Sequence, residues 1–367
     1  MRRLVYFQGG GPTAVINSSF LGVLNKAREE KAQLFVSRHG LKGLIDGELL
    51  PIDLDKDYSF LQKRPGAYFG SARISLKKNP EYLSPILKTL ERYQIDALLP
   101  NGGNDTMDSA LRLKNALFET NIHVLAIPKT VDNDLVGTAR TPGFLSAAKY
   151  IALSTSAILQ DDLSYEKGRI NIIETMGRDN GSLAASSLLS PFLKPDLILV
   201  PEVPFSFEEI KGKAQEIYAR KARCNIVLAE GIKDEEGNLY QAVKEKDSFG
   251  NPQLGGIASL FARRFQEEGF KTRAIELSIP QRAAFFLQSK VDAHEAMLCG
   301  EKAVLESKDK SGFMIGIDSS DEDLHYHLEP LENVAGHLRS LDGKYLDRKN
   351  LTIKDSFLSD FEDLVLS

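Results

Sequence analysis

Residues 123–134 read HVLAIPKTVDND, and the order of residue types in this stretch decides the fold class. The apolar run 123–127 is short and unbroken, as expected of a strand buried on both faces of a parallel sheet. Beyond it, PKTVDND (128–134) puts Lys129, Thr130, Asp132 and Asp134 at the carboxyl end of that strand. Open α/β sheets collect their ligands there. Asp132 and Asp134 are two residues apart, a spacing that points both carboxylates the same way on an extended segment. A carboxylate takes the proton of an attacking hydroxyl, and a lysine neutralises charge on a phosphate. Asp, Asn and Thr are also ordinary turn residues, so the heptad alone is equally compatible with a polar turn.

The neighbouring strands favour chemistry. Residues 4–7 read as another buried strand, followed by Gly9, Gly10, Gly11 and Pro12 and an apolar-periodic helix over about 14–28. Residues 97–100 repeat the device, with Asn101, Gly102, Gly103, Asn104, Asp105 and Thr106 leading into a helix over about 107–117. Strand–glycine–helix turns present backbone N–H groups and a helix N-terminus to phosphate. Neither copy has the GK[ST] of a P-loop or the G-x-G-x-x-G spacing of a dinucleotide site, so each is a weak signal singly. Three such strand ends in one sheet form a constellation suited to phosphate or metal chemistry.

Strands over 33–36, 170–173, 197–200, 226–229, 273–277 and 313–317 continue the alternation. Helices are expected over 86–93, 142–160, from Ser182 and up to about Val365, with Ser84 as an N-cap and Pro85 at a first helical position. This rhythm predicts an α/β protein of two doubly wound, Rossmann-like three-layer lobes. The polar insert at about 233–253 reads as a surface loop or hairpin, and the acid-rich run 318–323 as a solvated loop.

The chain has 367 residues, enough for two domains or one large one. A formal net charge of -5 gives no reason to expect nucleic-acid binding, so an anionic substrate must be held by local basic residues. Two cysteines, Cys224 and Cys299, make no disulfide framework and no zinc spacing. The N-terminus is not that of a signal peptide, and no apolar stretch reaches the roughly 18 residues of a membrane span, so a cytoplasmic protein is expected. His325 and His327 read as a surface pair, and Lys77 and Lys78 as exposed loop lysines. Asp292 and Glu295 read as acids complementing the dipole of the helix they open.

Taken together, GGGPTAVIN at 9–17, GSAR at 70–73, GGNDT at 102–106, PKTVDND at 128–134, MGR at 176–178, EG at 230–231, TRA at 272–274 and QR at 281–282 form an ordered set covering nearly the whole chain. On these motifs the chain resembles the 6-phosphofructokinases, and more closely their pyrophosphate-dependent branch. The resemblance implies Mg2+-dependent, reversible transfer of a phosphoryl group from pyrophosphate to fructose 6-phosphate in glycolysis, by a homodimer or homotetramer. It implies a donor lobe of residues 1–143 plus roughly 281–330, and a sugar-phosphate lobe of 144–280 plus the tail 331–367. Asp132 then takes the proton of the sugar 1-hydroxyl, with Thr130 and Asp134 positioning that centre. Gly10, Gly11, Thr106 and Arg73 bind the donor, Met176, Gly177, Arg178 and Glu230 the sugar, and Arg273 and Arg282 its 6-phosphate. Arg169 matches an arginine that reaches in from a neighbouring subunit.

Two residues bear on the donor. Asp105 stands where ATP-dependent relatives have glycine, and its charge repels a nucleotide's α-phosphate. Lys129 replaces a small residue and can neutralise the leaving phosphate. The chain also departs from the pattern. Asn104 occupies the metal-side position where the best-known members have aspartate. Ile279 stands where many relatives have a polar or aromatic residue, and Ala283 and Ala284 replace two glycines. These changes are compatible with a different sugar phosphate, such as the seven-carbon sedoheptulose 7-phosphate. An ATP-dependent enzyme and a non-catalytic, sugar-phosphate-binding regulatory homologue are the alternatives. The presence of Asp132, Lys129 and Gly11 argues against the second.

Overall fold

Successive side chains of the apolar runs enter opposite cores. Leu4, Tyr6, Leu34, Val36, Ala97, Leu99, Leu125 and Ile127 join one, while Val5, Phe7, Phe35, Leu98, Val124 and Ala126 join the other. A strand covered on both sides has no polar face, which is why these runs show no alternation. The structure, a computed structural model, describes residues 1–240, 256–318 and 325–366.

In chain order the strands begin with β1 (Arg3–Gln8), β2 (Gln33–Ser37), β3 (Leu49–Pro51), β4 (Ala97–Gly102) and β5 (His123–Pro128). They continue with β6 (Ile170–Thr175), β7 (Leu197–Leu199), β8 (Cys224–Ala229), β9 (Thr272–Glu276), β10 (Phe313–Ile317) and β11 (Tyr326–Pro330). The helices used below are α1 (Ile16–Glu29), α2 (Leu83–Arg92), α3 (Asn104–Ala116), α4 (Phe144–Leu163), α5 (Ile257–Glu267) and α6 (Lys290–Glu306).

The chain divides into two compact units, Met1–Ser146 with Arg282–Leu338, and Ala147–Gln281 with Arg339–Ser367. The first holds a sheet ordered β11-β10-β5-β4-β1-β2-β3, parallel from β10 to β2 with antiparallel strands at both edges. Its α1 and α6 cover one face, and α2 and α3 the other. The chain leaves β1 towards β2 and returns on its other side as β4, so the loops after β1 and β4 diverge at a switch point. The second unit carries the all-parallel order β7-β8-β6-β9, with β6 between β8 and β9. The chain is thus an α/β protein with two doubly wound sheets.

Several local expectations change. Ser84 is not an N-cap: α2 starts at Leu83, continuing directly from a 3-10 turn over Pro80–Tyr82, and Tyr82 offers no capping bond. Residues 331–338 go with the first unit, because Leu331 and Val334 are buried in its core. His327 is not part of a surface pair. It is half-buried, with Nδ1 2.6 Å from Asp318 Oδ1 and Nε2 3.1 Å from the Gly137 carbonyl. Of the polar insert, 233–240 form a turn closed by a bridge between Lys233 and Leu239. Its remainder and residues 319–323 of the acid-rich run lie outside the described residues.

The helix that follows the first glycine loop is fixed by backbone contact. A Cβ added to Gly22 of α1 would lie 1.9 Å from the Met297 carbonyl oxygen of α6, and one on Gly300 of α6 2.1 Å from that of Ser19. Gly300→Ala must force the two helices apart and is expected to lower stability by about 1–3 kcal/mol. A denaturant midpoint unchanged from the parent would contradict this crossing.

Candidate active site

The loops after β1 and β4 are joined and rigid. Gly9 N donates to the Asn101 carbonyl (2.8 Å), and Gly10 turns the chain at φ +72°, a left-handed conformation that favours glycine. The Thr106 side chain is wedged between them: a Cβ on Gly9 or Gly102 would come within 2.4 or 2.1 Å of its hydroxyl. Ser71 of the GSAR stretch donates to the Gly10 carbonyl at 2.7 Å, and Arg73, Lys77 and Lys78 beyond it are exposed. Helix α3 begins at Asn104, three residues before the expected start, so Asn104, Asp105 and Thr106 form its first turn. Asp105 is exposed there, where its charge complements the helix dipole and opposes a second anion.

Two cations meet at this glycine loop. Lys129, almost fully buried, donates from Nζ to the Gly11 carbonyl at 2.6 Å. Arg282 lies on the same glycine, its guanidinium carbon 3.5 Å from where a Cβ on Gly11 would sit. Burial, then the nearby Arg282, lower the Lys129 pKa to about 8, and the charges of Asp132 and Asp134 oppose that fall. A glycine turn beside two cations has the chemistry to hold an anion with several oxygens. Arg282, expected among the sugar-phosphate residues, therefore sits within the first unit beside the glycine loop.

The PKTVDND stretch is a turn, and not the extended segment that the spacing of its acids suggests. Asp132 N donates to Thr130 Oγ1 (3.1 Å), and Asn133 adopts a left-handed φ of +57°. Thr130 N donates to the Pro142 carbonyl (3.2 Å), and Thr141 Oγ1 donates back to the Thr130 carbonyl (3.1 Å). The carboxylates of Asp132 and Asp134 are thus presented from a turn tied by its own backbone at a strand end.

Next to it, Asn104 Nδ2 donates to Asp134 Oδ2 (2.8 Å), leaving Asn104 Oδ1 buried without a hydrogen-bond partner. Among the described residues no group of three or more His, Cys, Asp or Glu is arranged to hold a metal ion. A neutral carbonyl oxygen beside a carboxylate fits Mg2+, which keeps several waters and takes further ligands from substrate phosphates.

The second unit presents a separate set at the carboxyl ends of β6, β8 and β9. A cavity of about 150 Å³ is lined by Glu174, Thr175, Met176, Glu230, Glu276, Ser278, Ile279 and Gln281. Met176 N donates to Gln281 Oε1 (3.0 Å), and Glu230 N to the Thr175 carbonyl (2.9 Å), so three strand ends are tied together. Gly177 has φ +123°, and Gly231 packs on the Arg178 carbonyl, with no room for a side chain at either. Glu174, which sequence reasoning passed over inside the run INIIET, accepts from Ala258 N (2.8 Å) and anchors the start of α5. Burial raises its carboxyl above the ordinary range. The arginines are elsewhere: Arg273 pairs with Asp161 (2.8 Å), Arg169 with buried Asp162 (3.8 Å) and Arg178 with Asp179 (3.7 Å).

A family model described as phosphofructokinase matches residues 3–305. The chain belongs to the phosphofructokinase family. Among curated members, the pyrophosphate–fructose 6-phosphate 1-phosphotransferase of Xanthomonas campestris is 34% identical over 99% of this chain and 91% of its own length. The sulfofructose kinase of Alkalicoccus urumqiensis is 32% identical over 95% and 92%. Among solved phosphofructokinases, the pyrophosphate-dependent enzyme of Nitrosospira multiformis superposes with a TM-score of 0.88 at 27% identity, covering 99% of this chain and 92% of that one.

Proposed function

We infer that this phosphofructokinase moves a phosphoryl group from pyrophosphate to the 1-hydroxyl of fructose 6-phosphate, giving fructose 1,6-bisphosphate. The observation that carries the reading is the pairing of Lys129 with Arg282 at Gly11, in a loop whose neighbouring helix turn bears Asp105. Inorganic phosphate leaves with its charge concentrated on fewer atoms than that of a nucleoside diphosphate, and a buried ammonium offsets that charge. The Asp105 carboxylate disfavours the extra phosphate of a nucleotide.

Asp132 accepts the proton of the 1-hydroxyl as its oxygen bonds to the near phosphorus and the bond to the leaving phosphate breaks. Thr130 and Asp134 hold that centre, while Gly10, Gly11, Thr106 and Arg73 bound the donor. Mg2+, when bound, neutralises phosphate charge, and Asn104 Oδ1 with Asp134 would hold it through its waters. Met176, Gly177, Arg178 and Glu230 receive the sugar, with Arg273 and a neighbouring subunit's copy of Arg169 at its 6-phosphate. The contact of Arg282 with Gly11 supports its acting on the donor side as well.

A coupled assay with magnesium tests this, with pyrophosphate and ATP in parallel. Turnover with pyrophosphate and little with ATP is expected, and Asp105→Gly should raise the ATP rate about tenfold, the effect of ~1.4 kcal/mol. ATP turnover by the parent at the pyrophosphate rate would overturn the donor assignment. No helix of the described residues is long and apolar enough to cross a membrane. Ile279, exposed among the residues that line the cavity of the second unit, is a reason to include sedoheptulose 7-phosphate as a second acceptor. A higher kcat/KM with it would move the assignment to the longer sugar.

A further inference from the structure

Two acids at the start of α6 do more than complement its dipole. Asp292 is fully buried and accepts hydrogen bonds from Gly143 N (2.7 Å), Ser146 N (2.9 Å) and Ser146 Oγ. These donors are the residue before α4 and its first turn, so an acid of one helix caps the N-terminus of another. Glu295, one turn further on, is also fully buried and accepts from Arg140 Nε at 2.6 Å. Burial raises both carboxyls above their ordinary values, Glu295 to about 7, while Arg140 opposes the rise.

The stretch these acids hold is stitched to the catalytic turn on its other side. Besides the two bonds between Thr130 and residues 141–142, Thr141 N donates to Asn133 Oδ1 at 3.1 Å. Gly143 is caught between the two loops: a Cβ there would lie 2.6 Å from Thr13 Cγ2 and 3.1 Å from the Thr130 carbonyl. Movement of the start of α4 therefore moves the turn that carries Asp132.

From this geometry we propose that Asp292 is a positioning residue, which through Gly143 and Ser146 fixes residues 141–146 and with them the placement of the Asp132 carboxylate. The inference rests on Asp132 being the proton acceptor. Asparagine at 292 keeps the size but replaces one acceptor oxygen with an NH2 group, which meets a backbone N–H donor head-on. A displacement of about 1 Å at a reacting group can cost ~10²-fold in rate.

The test is steady-state kinetics of the full chain with pyrophosphate, fructose 6-phosphate and magnesium, comparing Asp292→Asn, Thr141→Val and Asp132→Asn. Asp292→Asn is expected to lower kcat about 10- to 100-fold with both KM values within about twofold of the parent. Thr141→Val, which exchanges a hydroxyl for a methyl and leaves the Thr130 carbonyl one donor short, should shift kcat the same way with a melting temperature lowered by a few degrees. A folded Asp292→Asn enzyme with parental kcat, or one altered only in KM, overturns the proposal. Should Asp292→Asn not fold, Ser146→Ala decides, because it removes one hydrogen bond to Asp292 itself: a lowered kcat upholds the proposal and a parental kcat overturns it. Full activity in Asp132→Asn would overturn the base assignment instead, which separates the two failures.

Discussion

Asp132→Asn is expected to lower kcat by about 10²- to 10⁴-fold while both substrates continue to bind. Asparagine has the shape of aspartate and cannot accept a proton, so the sugar hydroxyl must attack undeprotonated or lose its proton to water. The turn should survive the change. Its bond from residue 132 to Thr130 Oγ1 uses the backbone N–H, and the stitching from Thr130 to Pro142 and Thr141 does not involve the side chain. Stability and the KM for fructose 6-phosphate should therefore change little, and the loss should fall on kcat. Isothermal titration with fructose 6-phosphate, run beside the coupled assay, separates binding from turnover. Parental kcat in the variant would remove Asp132 from the mechanism and return the PKTVDND stretch to the status of a polar turn.

Lys129→Met is expected to produce an opposite pair of effects: pyrophosphate turnover falls about 10²- to 10³-fold, and the protein melts at a higher temperature. The first follows from losing a cation at the leaving phosphate. The second follows from the direction of the pKa shift. The folded state holds Lys129 at about 8, below the 10.5 of an exposed lysine, so the unfolded chain binds the proton more tightly. The cost of keeping this ammonium buried is fully present below about pH 8 and is relieved as pH rises from about 8 towards 10.5. Methionine fills the same buried channel with no charge to desolvate. In the parent the same titration should make kcat/KM for pyrophosphate fall as pH rises through about 8, since kcat/KM reports the free enzyme. Bound phosphate favours the ammonium, so the limb in kcat should lie at higher pH. A parental rate in Lys129→Met, or a lower melting temperature, would each contradict the account.

Much of this was legible in the chain because buried parallel strands advertise themselves. Runs such as LVYF, ALLP and HVLAI have no polar face, and in a doubly wound sheet the residues after them are the ones at the ligand crevice. That rule located Gly9–Gly11, Gly102–Thr106 and Lys129–Asp134 without coordinates. It could not say that Asn104 already opens a helix, because Asn, Asp and Thr are as common in a first turn as in the loop before it. Nor could it separate the buried Asp292 and Glu295 from exposed acids in the same helical positions. The sequence signature of a dipole-complementing acid is identical whether water or another helix lies outside it. The place of Arg282 beside Gly11 was hidden for a different reason. Gln281 and Arg282 are neighbours in the chain but belong to different units, so the QR motif reads as one feature while its two side chains serve different sets of residues.

The first unit's sheet is completed late, and this bears on how the chain is made. Strand β5 finds its parallel partner β10 only through pairings such as Leu125 with Phe313, and α1 waits longer still for α6 to close over it. At synthesis rates of ~5–20 residues per second, on the order of ten seconds or more separate the emergence of the two strands. During that time the apolar edge of β5 stands open, while β6 to β9 can already assemble from contiguous sequence. Such long-range closure slows folding and exposes an unpaired parallel edge to other chains. The half of the protein that holds Lys129 and Asp132 is therefore the half expected to close last during synthesis, and a lower recovery of soluble enzyme at high expression rates is the practical form that this lateness should take.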